Sequence, residues 1–299
     1  MKIGILGAGN MGGAIARGYA QSLAAAADGD RAGAPGEDGR VFVFDPDASK
    51  PDALGEVPRV AAVADEAELL DRSDAVIFAI KPQMFAEVVP RIASLNAGRA
   101  SDGGTDEAGL TAKMPEAAAG KVFVSIAAGV SIAWLQDALG AAAKIIRVMP
   151  NTPAMVGEGM SAIARSASVT DAEFREVAGV FGAVGRVAEV SENLLDAVTG
   201  ISGSSPAYAY MYIQALIESG VRHGLGEKEA RIMAAQSTLG AAKMVLENED
   251  VSVEQMRINV CSPGGTTIEA VHTLEKEGFM DAVKRAVYAC VEKSKRMKL

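Results

Sequence analysis

The sequence predicts an α/β fold, a doubly wound and mostly parallel sheet, followed by an all-helical domain. In the first two-thirds of the chain, short apolar runs typical of buried strands alternate with helical stretches, which is the pattern of successive βαβ units. The first apolar run leads directly into a glycine-rich turn, and strand-like runs disappear after about Glu192. We therefore expect two domains, residues 1–190 and residues 191–299.

Five segments of the first domain have the near-continuous hydrophobicity of strands that are covered on both faces. They are "KIGILG" (2–7), "VFVFD" (41–45), "AVIFAIKP" (75–82), "KVFVSIAAG" (121–129) and "KIIRVMPNTP" (144–153). Two further strands are predicted at 159–166 and 185–191, on either side of a helix that begins near Thr170. Residues 24–40 and 96–120 lack apolar periodicity, and we interpret them as surface loops.

Helix-start signals mark out the second domain. Ser205 followed by Pro206 predicts an N-cap and a proline at the first helical position. A long helix is expected over 227–248, and the pairing of Ser252 with Gln255 predicts a capping box for a short one. Two more helices follow "CSPGGTTIEA" (261–270) and complete the chain.

Charge, cysteine content and hydropathy limit the classes of protein. The 299-residue chain has a formal net charge of −9, which argues against a nucleic-acid-binding surface. Its two cysteines have neither a CxxC nor a zinc-ligand spacing, so no metal site is expected. The N-terminal segment lacks the features of a signal peptide, and no apolar run is long enough to cross a bilayer. We expect a cytoplasmic protein without a membrane or nucleic-acid partner.

"GAGNMG" (Gly7–Gly12) has the GxGxxG pattern of a dinucleotide-binding turn and follows a predicted strand. In a Rossmann fold the first glycine allows the tight turn, the second lets the backbone approach a pyrophosphate, and the third lets the helix pack on the strand. Asn10 and Met11 would stand at the start of that helix, whose free N–H groups attract phosphate. The alternative is a glycine-rich turn without a ligand.

Asp45 ends the second predicted strand, where an acidic residue accepts hydrogen bonds from the ribose hydroxyls of a dinucleotide. A carboxylate there would repel a 2′-phosphate, which favours NAD(H). Ser49 and Lys50 follow closely and could hold a phosphate instead, so the choice of NAD(H) or NADP(H) stays open.

The carboxyl ends of parallel strands line the ligand crevice of such a sheet. Three ends have distinctive residues: Lys81-Pro82, Ala127-Ala128-Gly129 and Pro150–Pro153. Lys81 could equally be a solvated surface lysine. The chain has two histidines, His223 and His272, and neither follows a predicted strand, so the sequence lacks the usual histidine base of a hydroxy-acid dehydrogenase.

"CSPGGTTIEA" predicts a helix entrance with few side chains around it. A helix beginning near Thr266 would present free N–H groups from Gly265, Thr266 and Thr267, and Gly264 and Gly265 leave room for a ligand. The hydroxyls of Ser262 and the two threonines add donors and acceptors. These features are typical of a carboxylate pocket. A Pro-Gly turn with Thr266 as a simple N-cap is the alternative.

Seven motifs occur in this order along the chain: "GAGNMGGAI", "AIKPQ", "SIAAGVSI", "RVMPNTPA", "VTGISGSSPAYAY", "GAAKMVLE" and "CSPGGTTIEAVHTLE". On these motifs rests a resemblance of the chain to the Δ1-pyrroline-5-carboxylate reductase family. It covers nearly the whole chain apart from the two predicted loops.

The resemblance implies a Rossmann domain, a helical dimerisation domain, and dimers that often assemble into decamers. Its active site joins one chain's nucleotide domain to a partner's helices. It assigns cofactor contacts to Gly7, Gly9, Asn10, Met11, Gly12, Lys81, Pro82, Ala127, Ala128, Gly129 and Asn259. It assigns the substrate to Ser262, Gly264, Gly265, Thr266 and Thr267, with the Thr267 hydroxyl meeting the ring nitrogen as the catalytic contact. Near the position of Asp45, many members carry Ser, Thr, Asn or Arg, which suit NADPH. This chain departs from them in having Asp45.

The reaction that the resemblance implies is hydride transfer to the cyclic imine, which gives L-proline. A protonated imine is already electrophilic, so the site needs mainly to orient it, and this agrees with the absence of a strand-end histidine. One alternative is a 6-phosphogluconate or β-hydroxyacid dehydrogenase, but Asn248 lies five residues after Lys243, off the helical face that such a pair would share. Another is a non-catalytic, nucleotide-sensing Rossmann protein.

Overall fold

A single mixed sheet forms the centre of the first part of the chain. The computed structural model describes residues 1–29, 40–98 and 120–297, and the remaining parts of the two predicted loops, 30–39 and 99–119, lie outside the described residues. The strands are β1 (Ile3–Leu6), β2 (Val41–Phe44), β3 (Val60–Ala62), β4 (Ala75–Phe78), β5 (Val122–Ser125), β6 (Lys144–Met149), β7 (Gly159–Arg165) and β8 (Gly185–Glu189).

The strand order is β3-β2-β1-β4-β5-β6-β7-β8. Neighbouring strands are parallel except for β6 and β7, which pair antiparallel with Met149 opposite Ala162. The order reverses direction at β1, between β2 and β4, which is the switch point where dinucleotides bind in doubly wound sheets. The predicted fold class is confirmed.

Helices cover both faces of the sheet and then continue alone to the end of the chain. They are α1 (Asn10–Gly29), α2 (Ser49–Asp52), α3 (Glu66–Arg72), α4 (Phe85–Gly98), α5 (Ile132–Leu139), α6 (Asp171–Gly182), α7 (Leu195–Val198), α8 (Ser205–Arg222), α9 (Glu227–Glu247), α10 (Val253–Val260), α11 (Thr266–Lys276) and α12 (Phe279–Arg296).

Alternation along the strands creates two apolar cores. Ile3 and Ile5 of β1 point to one face, where they belong to the same cluster as Ile15 of α1 and Phe181 of α6. Leu6 points to the other face and joins the cluster that contains helices α3, α4 and α5. Because both faces are covered, every residue of β1 is buried, as the continuous apolar run predicts.

The chain forms two compact units. The first contains Met1–Gly203 together with Val291–Leu299, and the second contains Ser204–Cys290, which is entirely helical. The end of α12 therefore returns to the unit that holds the sheet. The domain boundary expected at 190/191 stays a prediction.

Three local predictions for the first unit were wrong. The strand β3 is missing from the prediction, because only three residues form it and all are at least partly exposed. Helix α1 continues to Gly29 and α4 to Gly98, so residues 24–29 and 96–98 are helical and not loop. Alanine has the highest helix propensity, so the alanine-rich stretch after Ser22 extends α1 without needing an apolar face.

Two predicted helix starts in the second half also differ in detail. Ser204, not Ser205, precedes α8, which places Pro206 at its second position, and a π-helix over Thr199–Gly203 leads into it. The Ser252 hydroxyl accepts from the Gln255 amide as predicted. The Gln255 side chain, however, donates to Asn259 Oδ1 at 2.9 Å, so the structure forms one half of the capping box.

Candidate active site

The turn after β1 needs glycine at its first position. Gly7 has a φ of +103°, a left-handed value that side chains disfavour, and a Cβ added there would lie 2.6 Å from the Ala79 carbonyl oxygen. The Gly7 amide donates to the Phe44 carbonyl at 2.7 Å. The turn is therefore bonded to the end of β2 and lies close to the end of β4, at the switch point of the sheet.

Gly9 and Gly12 have the two other roles expected of the motif. A Cβ on Gly12 would overlap the Gly7 carbonyl oxygen, so only glycine lets α1 start this close to the turn. A Cβ on Gly9 would meet no described atom within 4 Å. It would point into open space in front of Asn10, where α1 begins with its first N–H groups free. In a Rossmann fold this is the position where the backbone approaches a pyrophosphate.

Two cavities lie beside the glycine-rich turn. One, of about 530 Å³, is lined by residues from the ends of β1, β2 and β4, among them Asp45 and Lys81. The other, of about 350 Å³, lies over the start of α1 and includes Asn10 and Arg17. Gly9 and Lys50 line both cavities, so the two form adjoining parts of one cleft.

The Asp45 carboxylate faces the turn and is almost covered, with its side chain 8% exposed. Its Oδ2 accepts from the Ala8 amide at 2.9 Å, and its Oδ1 accepts from Lys50 Nζ at 3.1 Å. The hydrogen bond to Asp45 raises the pKa of Lys50. Nearby, the Ser49 hydroxyl donates to Asp47 at 2.6 Å and lowers the pKa of that carboxyl.

An Arg91–Glu66 ion pair stands on the far side of the larger cavity. The guanidinium donates twice to the carboxylate, at 2.7 and 2.6 Å, and the Glu66 side chain is only 12% exposed. This bidentate contact raises the pKa of Arg91. Met84 and Val88 line the same cavity and add apolar surface beside the planar guanidinium. A wall of this kind suits a flat aromatic base.

Of the other predicted cofactor residues, some line this cleft and some do not. Lys81 is exposed and lines the larger cavity, whereas Pro82 begins a short 3₁₀ turn beyond it. Met11 and Gly12 pack beneath the turn, and neither they nor residues 127–129 line the two cavities. Asn259 belongs to the helical unit.

The loop after β5 is shaped by the end of the chain. Gly129 has a φ of +81°, and a Cβ there would overlap the main-chain oxygen of Met297. Ser294, one turn earlier, is buried and donates to the Asp196 carboxylate at 2.7 Å. The last turn of α12 is therefore fixed beside the predicted cofactor loop.

The predicted substrate loop begins a helix as expected, with one difference. Gly264 has a φ of +70°, and Gly265 is the N-cap of α11, without a side-chain hydrogen bond. The Gly265 amide donates to the Ser262 carbonyl at 3.0 Å, so it is not free as predicted. Thr266 and Thr267 occupy the first two helical positions, whose N–H groups have no partner within the helix.

The sequence reasoning missed Arg17, the Arg91–Glu66 pair and Met155, all of which line the cleft. Arg17 could have been found from spacing, because it lies four residues after Gly13 and so on the same face of α1. Arg91 lies on α4, and the structure is needed to bring it to the strand ends.

The described residues contain no cluster of three His, Cys, Asp or Glu side chains that could hold a metal ion. His223 Nδ1 lies 2.8 Å from the carbonyl oxygen of Ser219 in its own helix, a structural contact. Across the parts of the chain that the structure describes, no helix is both long and apolar enough to cross a membrane.

The doubly wound sheet, the glycine-rich turn at its switch point and the open space at Gly9 define a dinucleotide-binding oxidoreductase of the Rossmann class. Two family models match the chain: pyrroline-5-carboxylate reductase dimerisation over residues 192–297, and NADP oxidoreductase coenzyme F420-dependent over residues 2–100. The chain belongs to the pyrroline-5-carboxylate reductase family.

Similarity to known members extends over the whole chain. It is 36% identical to the pyrroline-5-carboxylate reductase of Escherichia coli, with 99% of this chain and 98% of the relative covered. The Synechocystis enzyme is 37% identical over the same shares. Among solved structures, the Coxiella burnetii enzyme superposes with a TM-score of 0.81 and 29% identity, covering 99% of this chain and 98% of that one.

The Plasmodium falciparum pyrroline carboxylate reductase, solved with NADP bound, gives a TM-score of 0.78 and 29% identity. It covers 100% of this chain and 98% of that chain. The family assignment supports an oxidoreductase. It argues against both the β-hydroxyacid dehydrogenase and the nucleotide-sensing alternatives, because full-length relatives at this identity carry the reductase name.

Proposed function

We propose that the protein reduces Δ1-pyrroline-5-carboxylate to L-proline, the last step of proline biosynthesis, with NADPH as the preferred donor. The observation that carries this proposal is the full-length match, at 36–37% identity, to enzymes named for that reaction. The open space at Gly9 supports dinucleotide binding, and the bare start of α11 supports a small carboxylate substrate.

Residues of the helical unit would hold the substrate. The free N–H groups of Thr266 and Thr267 suit the carboxylate, because a helix N-terminus attracts anions. Gly264 and Gly265, which lack side chains, let a small ring approach the backbone. Ser262 is exposed at the mouth of this loop and adds a hydroxyl.

The Thr267 hydroxyl would bind the ring nitrogen and so fix the orientation of the imine carbon. A bound dinucleotide would supply the hydride for that carbon, and the electron pair of the C=N bond would then remain on the ring nitrogen, which becomes the amine. The protein's contribution is orientation and exclusion of water, with no side chain required to donate a proton at that step. Thr267 is therefore the residue we assign to catalysis.

Cofactor contacts are proposed at the turn and the neighbouring strand ends. The N–H groups at Asn10 and Met11, opened by Gly7, Gly9 and Gly12, suit the pyrophosphate. We extend the set, as the family resemblance indicates, to Lys81, Pro82, Ala127, Ala128, Gly129 and Asn259.

The preference for NADPH is supported by the charges on the smaller cavity. Lys50 and Arg17 line it, and both are cations that bind phosphate well. Asp45, which the sequence suggested would repel a 2′-phosphate, is paired with Lys50 and turned toward Ala8. NADH, which lacks the 2′-phosphate, is expected to be the poorer donor.

We propose a homodimer formed through the helical unit. Of Ser204–Cys290, all of which the structure describes, only Ala230 and Ala234 are buried, while large apolar side chains such as Met211 and Ile232 are exposed. A helical unit with so little core of its own needs a second copy to cover these faces. Assembly of dimers into a decamer is the further proposal, and light scattering of the purified protein tests both.

A cytoplasmic location is proposed because neither Cys261 nor Cys290 is part of a disulfide in the described part of the chain. Fractionation of cells with an antibody against the protein tests this. Recovery in a membrane or secreted fraction would contradict it.

Steady-state kinetics with Δ1-pyrroline-5-carboxylate, comparing NADPH and NADH, test the reaction and the cofactor together. We expect turnover with both and a higher kcat/KM with NADPH. A 3-hydroxy acid with the oxidised dinucleotide serves as the contrasting substrate. Activity on that acid without reduction of the imine would reject the proposed function in favour of a hydroxyacid dehydrogenase.

A further inference from the structure

The end of β2 holds the glycine-rich turn at two consecutive amides. The Gly7 amide donates to the main-chain carbonyl of Phe44 at 2.7 Å. The next amide, that of Ala8, donates to the side chain of Asp45 at 2.9 Å. The first contact is available to any sequence, whereas the second depends on the residue at position 45.

The donors around Asp45 leave little of its carboxylate for a ligand. Oδ2 accepts from Ala8, and Oδ1 accepts from the Asp47 amide at 3.0 Å and from Lys50 Nζ at 3.1 Å. A carboxylate offers about four lone-pair positions, so these described donors fill three of them. With the side chain 8% exposed, the remaining position is nearly covered.

The charges around Asp45 also indicate that its carboxylate is not available to a ligand. Lys50 lies 3.1 Å from Asp45 and 3.6 Å from Asp47, and its own side chain is 43% exposed at the edge of both cavities. The negative charge of Asp45 is therefore compensated locally and directed inward. The group that the β2 end presents to the cleft is the lysine cation.

We propose that Asp45 is a positioning residue, which fixes the Ala8 amide and with it the shape of the dinucleotide-binding turn, and does not distinguish the two cofactors at the ribose. A residue that read the ribose hydroxyls would matter for NADH and oppose NADPH. A residue that holds the turn matters equally for both, because both place the same pyrophosphate on it. The inference rests on the dinucleotide binding at this turn, as in the proposed function.

Three variants of the full chain separate these roles. Asp45→Asn keeps a side-chain oxygen that can accept from Ala8 but removes the charge. Asp45→Ala removes both. Asp47→Asn is the matched control, because Asp47 neighbours the same lysine but has an exposed side chain that, among the described residues, makes no hydrogen bond to the turn. Dissociation constants for NADPH and NADH are measured by fluorescence titration, without any substrate present.

We expect Asp45→Ala to weaken NADPH and NADH by the same factor, about 10-fold, the scale of one lost hydrogen bond to a charged group, and Asp45→Asn to stay within about 3-fold for both. Asp47→Asn should stay within about 2-fold. Hydrogen exchange of a peptide covering residues 7–12 should speed up in Asp45→Ala and remain slow in Asp45→Asn. This exchange measurement reports on the turn itself.

Selective loss of NADH binding, with NADPH unchanged or tighter, would overturn the proposal in favour of a ribose-reading role. So would an Asp45→Asn variant as weak as Asp45→Ala, or an Asp45→Ala variant with normal binding and exchange. If Asp45→Ala does not fold, the ratio of the NADPH and NADH dissociation constants of Asp45→Asn still decides. A ratio within about 2-fold of wild type supports the positioning role, and a larger shift opposes it. Because binding is measured without turnover, a failure of the proposed reaction would leave a different pattern: normal dinucleotide binding and no imine reduction.

Discussion

The main-chain oxygen of Met297 lies where a Cβ on Gly129 would stand. Gly129→Ala should therefore lower the free energy of unfolding. A left-handed alanine costs about 1–2 kcal/mol, and the overlap costs about 1–3 kcal/mol more. Gly157→Ala is the matched control, since Gly157 has a φ of +77° and no described atom near its Cβ position. Urea unfolding at one fixed protein concentration measures both. Equal losses in the two variants would show that the Met297 contact is unimportant.

Thr267→Ala should lower kcat/KM for the imine by about 1–3 kcal/mol of transition-state stabilisation, because the ring nitrogen loses its hydrogen-bond partner. Thr273→Ala on the same helix is the control: its hydroxyl donates to the Glu269 carbonyl of the helix itself. Steady-state kinetics with saturating NADPH give the comparison. Unchanged kinetics in Thr267→Ala would remove Thr267 from the catalytic assignment.

Lys50→Met should lower kcat/KM for NADPH and leave kcat/KM for NADH nearly unchanged. A cation bound to the 2′-phosphate contributes about 1–2 kcal/mol at a partly exposed position, so kcat/KM for NADPH should fall about 5- to 30-fold. Lys50→Arg, which keeps the charge, should restore most of it. Parallel loss with both dinucleotides would show that Lys50 does not contact the 2′-phosphate.

Glu173 predicts a pH-dependent contribution to stability. Burial alone would raise its pKa, but hydrogen bonds from Lys144, at 2.6 Å, and from Thr170 outweigh this and hold the pKa below its ordinary value of 4.5. A depressed pKa in the folded state stabilises the protein above the unfolded pKa, and this contribution is lost as the pH falls through the folded pKa.

Glu173→Gln should therefore cost about 1–2 kcal/mol at pH 7, the scale of a hydrogen bond to a charged group, and progressively less below about pH 4. Glu176→Gln on the same helix is the control, because the Glu176 side chain is 52% exposed where it pairs with the N-terminus. That control should stay within about 0.5 kcal/mol. Thermal melts from pH 3 to pH 7 would show a constant difference if the ion pair were unimportant.

Continuous burial made most of the sheet predictable. The strands of the centre are covered on both faces, so nearly every residue must be apolar, and the sequence shows it. The edge strand β3 has no such requirement, which is why Val60–Ala62 carries no clear signal. The end of α1 was missed for a different reason: alanine extends a helix by propensity, without the apolar periodicity on which the prediction depended.

The candidate site was predictable in position but not in detail. The glycine motif and the α11 entrance stand where the sequence indicated. Which atoms are available there depends on neighbours: the Gly265 amide is taken by Ser262, and the Asp45 carboxylate by Ala8 and Lys50. Such contacts follow from backbone angles and rotamers, which a one-dimensional pattern does not specify.

The return of Val291–Leu299 to the unit that holds the sheet makes Ser204–Cys290 an insertion within that unit, and not an appendage at its end. An appendage can be lost by a single truncation, whereas an insertion is tied at both ends. Removing the helices by a stop codon after Gly203 would also delete Ser294 and Met297, which pack against Asp196 and Gly129. A minimal dinucleotide-binding fragment would therefore have to be made by internal excision, with a short linker joining Gly203 to Val291, rather than by truncation at the C-terminus.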